Sequence, residues 1–168
     1  ASIYERWCCV VFHMTDLPFG RGGSPLQKLI QRGIEKTKLS AIKVCKGMDT
    51  GPIYMKEDLC LHGSAGEILI RASEIIFGKM IPAFLGSNLL PVPQVGEPVL
   101  FKRRTPEQSA ITTNLNIIQL YDHIRMLDGE GYLSAFYMVG KIKFEITRAS
   151  FHGDEIMANL RIIEVNNE

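Results

Sequence analysis

The sequence predicts a mixed α/β protein in which a strand-and-helix unit precedes a small, mostly antiparallel, barrel-like domain. An apolar run at 8–12 has the composition of a buried strand, and a loop rich in Gly and Pro separates it from a predicted helix. Three prolines interrupt the chain between residues 88 and 100, as is typical of an extended connection. Beyond residue 101, one amphipathic segment precedes three strand-like runs, the pattern of a small β-rich domain.

Composition limits the classes of function. The 168 residues suffice for one domain or two small ones, and the hydrophobic fraction of 46% is ordinary for a protein that buries a core. A net charge of +1 gives no bulk electrostatic reason to bind nucleic acid or a membrane surface. No apolar run approaches the ~18–20 residues of a membrane-spanning helix, and the first residues lack the pattern of a secretory signal. We therefore expect a cytoplasmic protein.

The cysteines predict neither disulfides nor a metal site. Cys8 and Cys9 are adjacent and point to opposite faces of a strand, and Cys45 and Cys60 form no C-x-x-C pair with them. We expect buried free thiols, which suit a reducing compartment. No cluster of thiols and imidazoles has the spacing of metal ligands, so no metal is expected.

The first part of the chain contains recognisable strand and helix signals. The apolar strand at 8–12 favours a parallel sheet with both faces covered. Ser24 is a candidate N-cap for a helix that runs to about residue 32. The runs at 39–44 and 52–56 are interpreted as further strands.

A capping box marks the start of the longest predicted helix. Ser64 is followed three positions later by Glu67, and apolar residues then recur at helical spacing to about Leu85, where Gly86 closes the helix. Pro82 predicts a kink or break late in this helix.

The pattern divides the chain into residues 1–90, a linker at 91–100 and a second module at 101–168. The second module is expected to hold a helix at 115–127. Its core candidates share one helix face: Leu115, Ile118, Leu120, Ile124 and Leu127. The strands that follow are predicted at 133–139, 142–149 and 156–165.

His13 and Asp49 are the first candidates for chemistry. They are 36 positions apart, and each comes just after a predicted strand, so parallel strands would bring them to one edge of the sheet. A carboxylate beside an imidazole orients the ring and favours its charged form, and such a pair can act as acid, base or oxyanion partner. Ser40, on the strand between them, could hydrogen-bond into the same site.

Structural interpretations of these residues stay open at this point. A lone His at a strand end is often only structural, and an Asp before Thr-Gly is commonly a turn former. Gly20, Gly22 and Gly23 could form a tight loop and nothing more. A phosphate cradle is a weaker alternative, because the run lacks the glycine spacing and the lysine of the known phosphate-binding loops.

Two motifs in residues 8–56 resemble a known family. They are His13-x-Thr15-x-Leu17-Pro18-x-x-Arg21-Gly22 and Asp49-Thr50-Gly51. Together they resemble the folate-dependent formyltransferase family, which includes methionyl-tRNA and amino-sugar N-formyltransferases and whose pattern is N-x-H-x-S-L-L-P followed by D-x-G. Three later runs are similar to the family in the same order: Arg103–Glu107, Leu120–Leu127 and Tyr132–Phe136.

The resemblance implies the C-terminal part of a Rossmann-like formyltransferase domain followed by a small OB-like domain. It implies formyl transfer from N10-formyltetrahydrofolate to a primary amine, in which His13 stabilises the developing oxyanion or shuttles protons. The implied catalytic residues are His13, Asp49 and Ser40. The implied cofactor-binding residues are Val44, Gly47, Met48 and Asp49. The implied substrate-binding residues are Thr15, Leu17, Pro18, Arg21, Gly22 and Gly23.

Two departures from the family pattern affect this expectation. The family's Asn two positions before the His is Val11 here, and valine cannot donate a hydrogen bond, so an oxyanion donor must come from elsewhere. The early strands that the family carries before the histidine are also missing. We therefore expect a truncated chain that is inactive alone and needs an N-terminal α/β segment, or another chain, to complete its sheet.

The acceptor amine is the least specified element. From residue 101 onward the chain has eight basic and nine acidic residues, so its net charge gives little support for tRNA binding. Lys102, Arg103 and Arg104 nevertheless form a local basic cluster. Two phosphates would need no more than such a cluster, so a nucleotide-linked amino sugar is favoured over methionyl-tRNA. A non-catalytic binding module stays open as a hypothesis of another class.

Overall fold

Short strands and helices alternate up to Phe101, and one helix and a meander of three strands follow, which confirms the mixed α/β fold class. The computed structural model describes residues 2–165. The helices are α1 (Ile3–Arg6), α2 (Pro25–Ile30), α3 (Ala65–Ile75), α4 (Ile81–Gly86) and α5 (Ile117–Arg125). The strands are β1 (Val10–His13), β2 (Phe19–Gly22), β3 (Lys36–Lys43), β4 (Ile53–Cys60), β5 (Val99–Phe101), β6 (Ala135–Val139), β7 (Ile142–His152) and β8 (Glu155–Glu164).

The first sheet has the order β1-β3-β4 and is antiparallel throughout, so the expected parallel sheet is wrong. The loop between β3 and β4 is too short for the crossover that parallel neighbours need. The segment between β1 and β3 does not cross the sheet either, because β2 leaves to pair in parallel with β5. In the resulting register His13 lies opposite Ser40.

The predicted linker at 91–100 is bonded to the first part of the chain. Val92 exchanges two backbone hydrogen bonds with Ile53, at 2.7 and 2.8 Å. Val99 begins β5 and so joins the two-stranded sheet with β2. The division into 1–90, 91–100 and 101–168 stays a prediction.

The helix signals have mixed outcomes. Ser64 caps α3 as predicted, because its hydroxyl accepts a hydrogen bond from the Glu67 amide at 3.3 Å while its own amide donates to the Glu67 carboxylate at 2.7 Å. The expected break near Pro82 takes the form of a π-helical turn at Ile76–Met80, directly before α4. Ser24 occupies the N-cap position of α2 as predicted, but its backbone is left-handed and its side chain does not cap the helix, because its hydroxyl accepts from the Arg104 amide instead.

One buried core connects the two parts of the chain. Its side chains come from α2, β3, β4, α3, α5 and β6, and they include Leu26, Leu29, Ile30, Leu39, Leu59, Ile68, Ile124, Met126 and Ala135. Ile124 and Leu127 are buried as predicted, whereas Ile118 is 58% exposed because it lies on the opposite face of α5. The described cysteines are free, but the expectation that they are buried is wrong: Cys8 is exposed and the other three are half-buried.

The last three strands form an open antiparallel sheet of order β6-β7-β8. Antiparallel pairing was expected, but within residues 2–165 the sheet does not close into a barrel. Three strands are too few to close on themselves, and Ala110 adds only an isolated bridge to Phe136 in β6.

Replacing Ser64 by Ala is expected to lower the free energy of unfolding by about 1 kcal/mol at neutral pH, because an orphan amide of α3 loses its acceptor. The same capping box lowers the pKa of Glu67, chiefly through the Ser64 amide and hydroxyl. A lowered carboxyl pKa stabilises the fold above the unfolded-state value of about 4.3 and loses that effect as the pH falls through the folded-state value.

Urea unfolding of Ser64→Ala and the parent at pH 7 and at pH 3 tests this. The difference between the two proteins should shrink at pH 3. Ser73→Ala, on the exposed side of the same helix, is the control and should change stability by less than about 0.5 kcal/mol. An equal loss in both variants would contradict the capping argument.

Candidate active site

His13 closes β1 and is 7% exposed. Its Nε2 lies 2.8 Å from the Gly20 carbonyl oxygen. A carbonyl can only accept, so Nε2 carries a hydrogen and donates it. Nδ1 is the other ring nitrogen, and it lies 3.7 Å from the Asp49 carboxylate. Nδ1 is therefore the nitrogen that a reacting group can use.

Asp49 reaches His13 from the loop between β3 and β4, although the two strands are antiparallel. Its backbone is left-handed, with φ +55°, a conformation that Asp adopts more readily than most residues. Its carboxylate accepts a hydrogen bond from the Gly22 amide at 2.8 Å. The same oxygen, Oδ2, thus faces both His13 and Gly22, and the predicted pair is brought together.

Gly51 explains why the motif ends in glycine. A Cβ at this buried position would lie 1.7 Å from the Lys43 carbonyl oxygen, so no side chain fits. The close approach lets the loop fold back on the end of β3 and present Asp49 to His13.

Gln94 is a site residue that sequence reasoning missed. Its amide nitrogen donates to the carbonyl oxygens of Asp49 and Gly51, both at 2.8 Å. Its amide oxygen accepts from the Arg21 guanidinium at 3.1 and 2.7 Å. Gln94 lies in the predicted linker, and no periodicity or motif there signals it.

Ser40 does not bond to either member of the pair. Its hydroxyl is fully buried and donates to the Thr15 carbonyl oxygen at 2.7 Å. It thereby supports the turn that follows His13. Its catalytic role stays a prediction, and the geometry favours a positioning role.

The predicted substrate-binding residues fall into two groups. Thr15, Leu17 and Pro18 are buried, so they can affect a ligand only indirectly, by shaping the loop that they support. Arg21, Gly22 and Gly23 are half-buried and reach the surface. A Cβ on Gly22 would lie 2.4 Å from the Phe101 carbonyl oxygen, so this glycine allows β2 and β5 to approach closely.

The predicted cofactor-binding residues line one cavity of about 230 Å³. Val44, Gly47, Met48 and Asp49 all contribute to it, together with Val11. Its side walls are largely aliphatic, and Val11 is 38% exposed there. Their role in cofactor binding stays a prediction.

A second cavity, of about 390 Å³, lies between the glycine-rich loop and the segment after β5. Ser24 and Gln27 line one side, and Arg103, Arg104 and Tyr132 line the other. Burial lowers the pKa of the Arg104 guanidinium.

The described part of the chain contains neither a candidate metal site nor a candidate membrane span. Between residues 2 and 165, no three His, Cys, Asp or Glu side chains gather in a way that could hold a metal ion. Over the same range no helix has both the length and the apolar character needed to cross a bilayer.

Comparison with known proteins gives consistent matches. A family model described as "Methionyl-tRNA formyltransferase, C-terminal domain" matches residues 106–163. The methionyl-tRNA formyltransferase of Sinorhizobium medicae is 32% identical over 128 residues, which are 73% of this chain and 41% of that protein. The chain spans about half the length of the curated relatives it matches, from 39% to 54%.

Solved structures extend the likeness. A structure described as methionyl-tRNA formyltransferase from Clostridium thermocellum is 57% identical to this chain, with a TM-score of 0.94. The match covers 96% of this chain and 71% of that one. The N-formyltransferase from Helicobacter canadensis, in complex with folinic acid and dTDP-3-aminofucose, is 16% identical with a TM-score of 0.64, over 93% of this chain and 65% of that one. The second likeness shows the fold alone.

Replacing Gln94 by Ala is expected to lower the free energy of unfolding by about 1–3 kcal/mol, because two loop carbonyls and a guanidinium lose their partner. Backbone amides of residues 44–51 should also exchange faster with solvent. Gln31→Ala, at an exposed helix end, is the matched control and should change neither quantity. Unchanged exchange in the Gln94 variant would contradict its role in holding the Asp49 loop.

Proposed function

Because the chain belongs to the formyltransferase family, we propose that it takes part in formyl transfer from N10-formyltetrahydrofolate to a primary amine. The observation that carries the proposal is the pairing of His13 with Asp49 by the Gly22 amide. Asp49 is held by a hydrogen bond from the Gly22 amide, a contact that a residue serving only to form a turn would not need.

The lining of the cavity of about 230 Å³ supports binding of the heteroaromatic ring of the donor. Val11, Val44 and Met48 offer aliphatic surface of the kind that a flat heteroaromatic ring covers, and the backbone at 47–49 offers polar groups at its rim. When bound, the folate supplies the formyl carbon and the nitrogen that leaves it. Asp49 lies at the edge of this cavity, so the reacting carbon would be close to the pair.

His13 acts in this proposal through Nδ1. In the neutral ring Nε2 donates to the Gly20 carbonyl, so Nδ1 has a lone pair and can take the proton that an attacking amine loses. The ring then carries a positive charge between the Gly20 carbonyl and the Asp49 carboxylate, both of which stabilise it. The proton can pass on to the leaving nitrogen. Ser40 and Gln94 are positioning residues in this scheme.

The open edge of the first sheet supports a requirement for a further segment. Within residues 2–165, β1 pairs with β3 on one side only. The side chains of residues 10–12 are apolar. The outer edge of this strand offers a row of backbone amides and carbonyls that a further strand can pair with. An additional strand on this edge would bring residues close to Val11 and could supply the oxyanion donor that valine lacks.

A nucleotide-linked amino sugar, which the charge of the sequence favours, is the second candidate for the acceptor. The part of the chain from residue 101 has more acidic than basic residues, and its basic cluster at 102–104 borders the larger cavity. Two phosphates need only a small number of cationic contacts. The Helicobacter canadensis enzyme, whose structure includes dTDP-3-aminofucose, is a distant relative with the same fold.

Methionyl-tRNA is the first candidate, because the more similar relatives are described as acting on it. Both the Clostridium thermocellum structure and the Sinorhizobium medicae protein are described as methionyl-tRNA formyltransferases. The two acceptors differ enough in size and charge for a direct assay to separate them.

The test uses the full-length protein with N10-formyltetrahydrofolate and either a dTDP-amino sugar or methionyl initiator tRNA. We expect formylation of the methionyl initiator tRNA, and His13→Ala should lower kcat by about 10²–10⁴-fold because the proton acceptor is lost. The KM for the folate should change little, since the imidazole is not in the folate cavity.

Asp49→Asn is the companion variant, which keeps the size of the side chain and removes its charge. It should lower kcat without unfolding the protein. Formylation of the nucleotide sugar alone would reverse the order of acceptors, and full activity of His13→Ala would reject the proposed role of the imidazole. No formylation of either acceptor by the parent protein would favour a binding module.

Replacing Val11 by Asn is expected to raise kcat, because the new amide would place a hydrogen-bond donor at the cavity beside Asp49. A single oxyanion donor contributes about 10²–10³-fold in other enzymes. Val11→Leu is the control, because it adds volume but no donor. Equal kcat values for the Asn and Leu variants would show that the donor is supplied elsewhere.

A further inference from the structure

The outer edge of β8 is open along the strand. β8 has ten residues, and within residues 2–165 it pairs with β7 on one side and has no partner strand on the other. The Val165 amide donates to the Lys141 carbonyl oxygen at 2.8 Å. Because backbone groups alternate in direction along a strand, the odd-numbered residues of β8 bond to β7 and the even-numbered ones point outward. The open row of amides and carbonyls therefore belongs to Ile156, Ala158, Leu160 and Ile162.

β8 lacks the features that keep most exposed edges from pairing. Its sequence, Glu155–Glu164, contains no proline, glycine or lysine, and the bulge of this sheet lies in β7. The opposite edge of the sheet is partly covered, because the Ile111 amide donates to the Phe136 carbonyl oxygen of β6 at 2.7 Å. Of the two edges of this sheet, β8 is thus the one that can accept a further strand.

The exposed side chains of β8 are largely apolar. Met157, Leu160 and Ile162 are each more than half exposed. Leu160 and Ile162 lie opposite Ile146 and Phe144 of β7, so they extend an apolar face of the sheet. Exposed apolar groups on a strand with an open edge are typical of a surface that another strand covers.

The charged residues of β8 are spaced for pairing with a second copy of the same strand. Glu155 and Arg161 are both exposed, and Ala158 lies midway between them. Two antiparallel copies related by a two-fold axis at Ala158 place Glu155 opposite the partner's Arg161, and Arg161 opposite the partner's Glu155. An axis at residue 157 or 159 brings no opposite charges together. The charge pattern therefore selects both the partner and the register.

We propose that β8 pairs with β8 of a second copy of this chain, which joins two three-stranded sheets into one of six strands. In this register the outward amides and carbonyls of the two copies face one another, and Ile156 lies opposite the partner's Leu160 on the apolar face. Each Glu155/Arg161 pair occupies a position without backbone hydrogen bonds, where facing side chains approach most closely. Glu145, whose carboxylate lies 3.6 Å from the Arg161 guanidinium, extends each pair into a network. This pairing would form whether or not the proposed chemistry is correct.

Sedimentation velocity of the full-length protein over a range of concentrations tests the proposal. We expect a reversible dimer. Glu155→Arg and Arg161→Glu should each raise the Kd of the dimer by about tenfold or more, because symmetry makes each substitution create two contacts between like charges. An equimolar mixture of the two variants should form a heterodimer, since both contacts again join opposite charges. Such a rescue also shows that both variants are folded.

Glu97→Arg is the matched control, because it makes the same change of charge at an exposed residue before β5, outside this sheet. It should leave Kd unchanged. Hydrogen exchange gives a second readout. The amides of residues 156, 158, 160 and 162 should exchange more slowly in the dimer, whereas those of 159 and 161, which already bond to β7, should change little.

A protein that stays monomeric at every concentration would overturn the proposal. If another segment of the full-length chain covers β8, the even-numbered amides will be protected in that monomer at every concentration. A dimer whose Kd is unaffected by both charge reversals would place the interface elsewhere. Failure of the mixed variants to form a heterodimer, when each is folded by circular dichroism, would overturn the register.

Discussion

The hydrogen bond from the Gly22 amide to the Asp49 carboxylate is the contact on which the arrangement of the site depends. It joins the end of β2 to the loop after β3, and the same carboxylate oxygen faces His13. The antiparallel sheet alone would place the ends of these strands apart. Gln94 strengthens the connection, because it bonds to the Asp49 loop on one side and to Arg21 on the other.

Much of the local structure follows from local chemistry. The capping box at Ser64, the apolar strands and the helix stop at Gly86 all depend on neighbours within a few residues, and each is present as predicted. The pairing of His13 with Asp49 was also predicted, but for a reason that proved wrong, since it relied on parallel strands. The prediction that the two side chains are close was still correct, because the loop geometry at Gly22 and Gly51 brings them together whatever the direction of the strands.

The features that escaped prediction depend on distant segments. Gln94 lies in a proline-rich run without periodicity, and only the folded chain shows that it bridges Arg21 and the Asp49 loop. Ser24 has the residue type of an N-cap, but the approach of Arg104 gives its hydroxyl another partner. Sheet direction and closure are likewise properties of the whole chain, so neither could be deduced from single strands.

The segment after β5 is positioned through its backbone. The Phe101 carbonyl accepts from Gly23, and the Arg104 amide donates to Ser24, so neither contact depends on the identity of the side chains in between. Side chains at positions 102 and 103 can therefore be exchanged without displacing the loop beside His13. Sequence changes can therefore accumulate in this short stretch while the geometry of the His13/Asp49 pair is inherited unchanged.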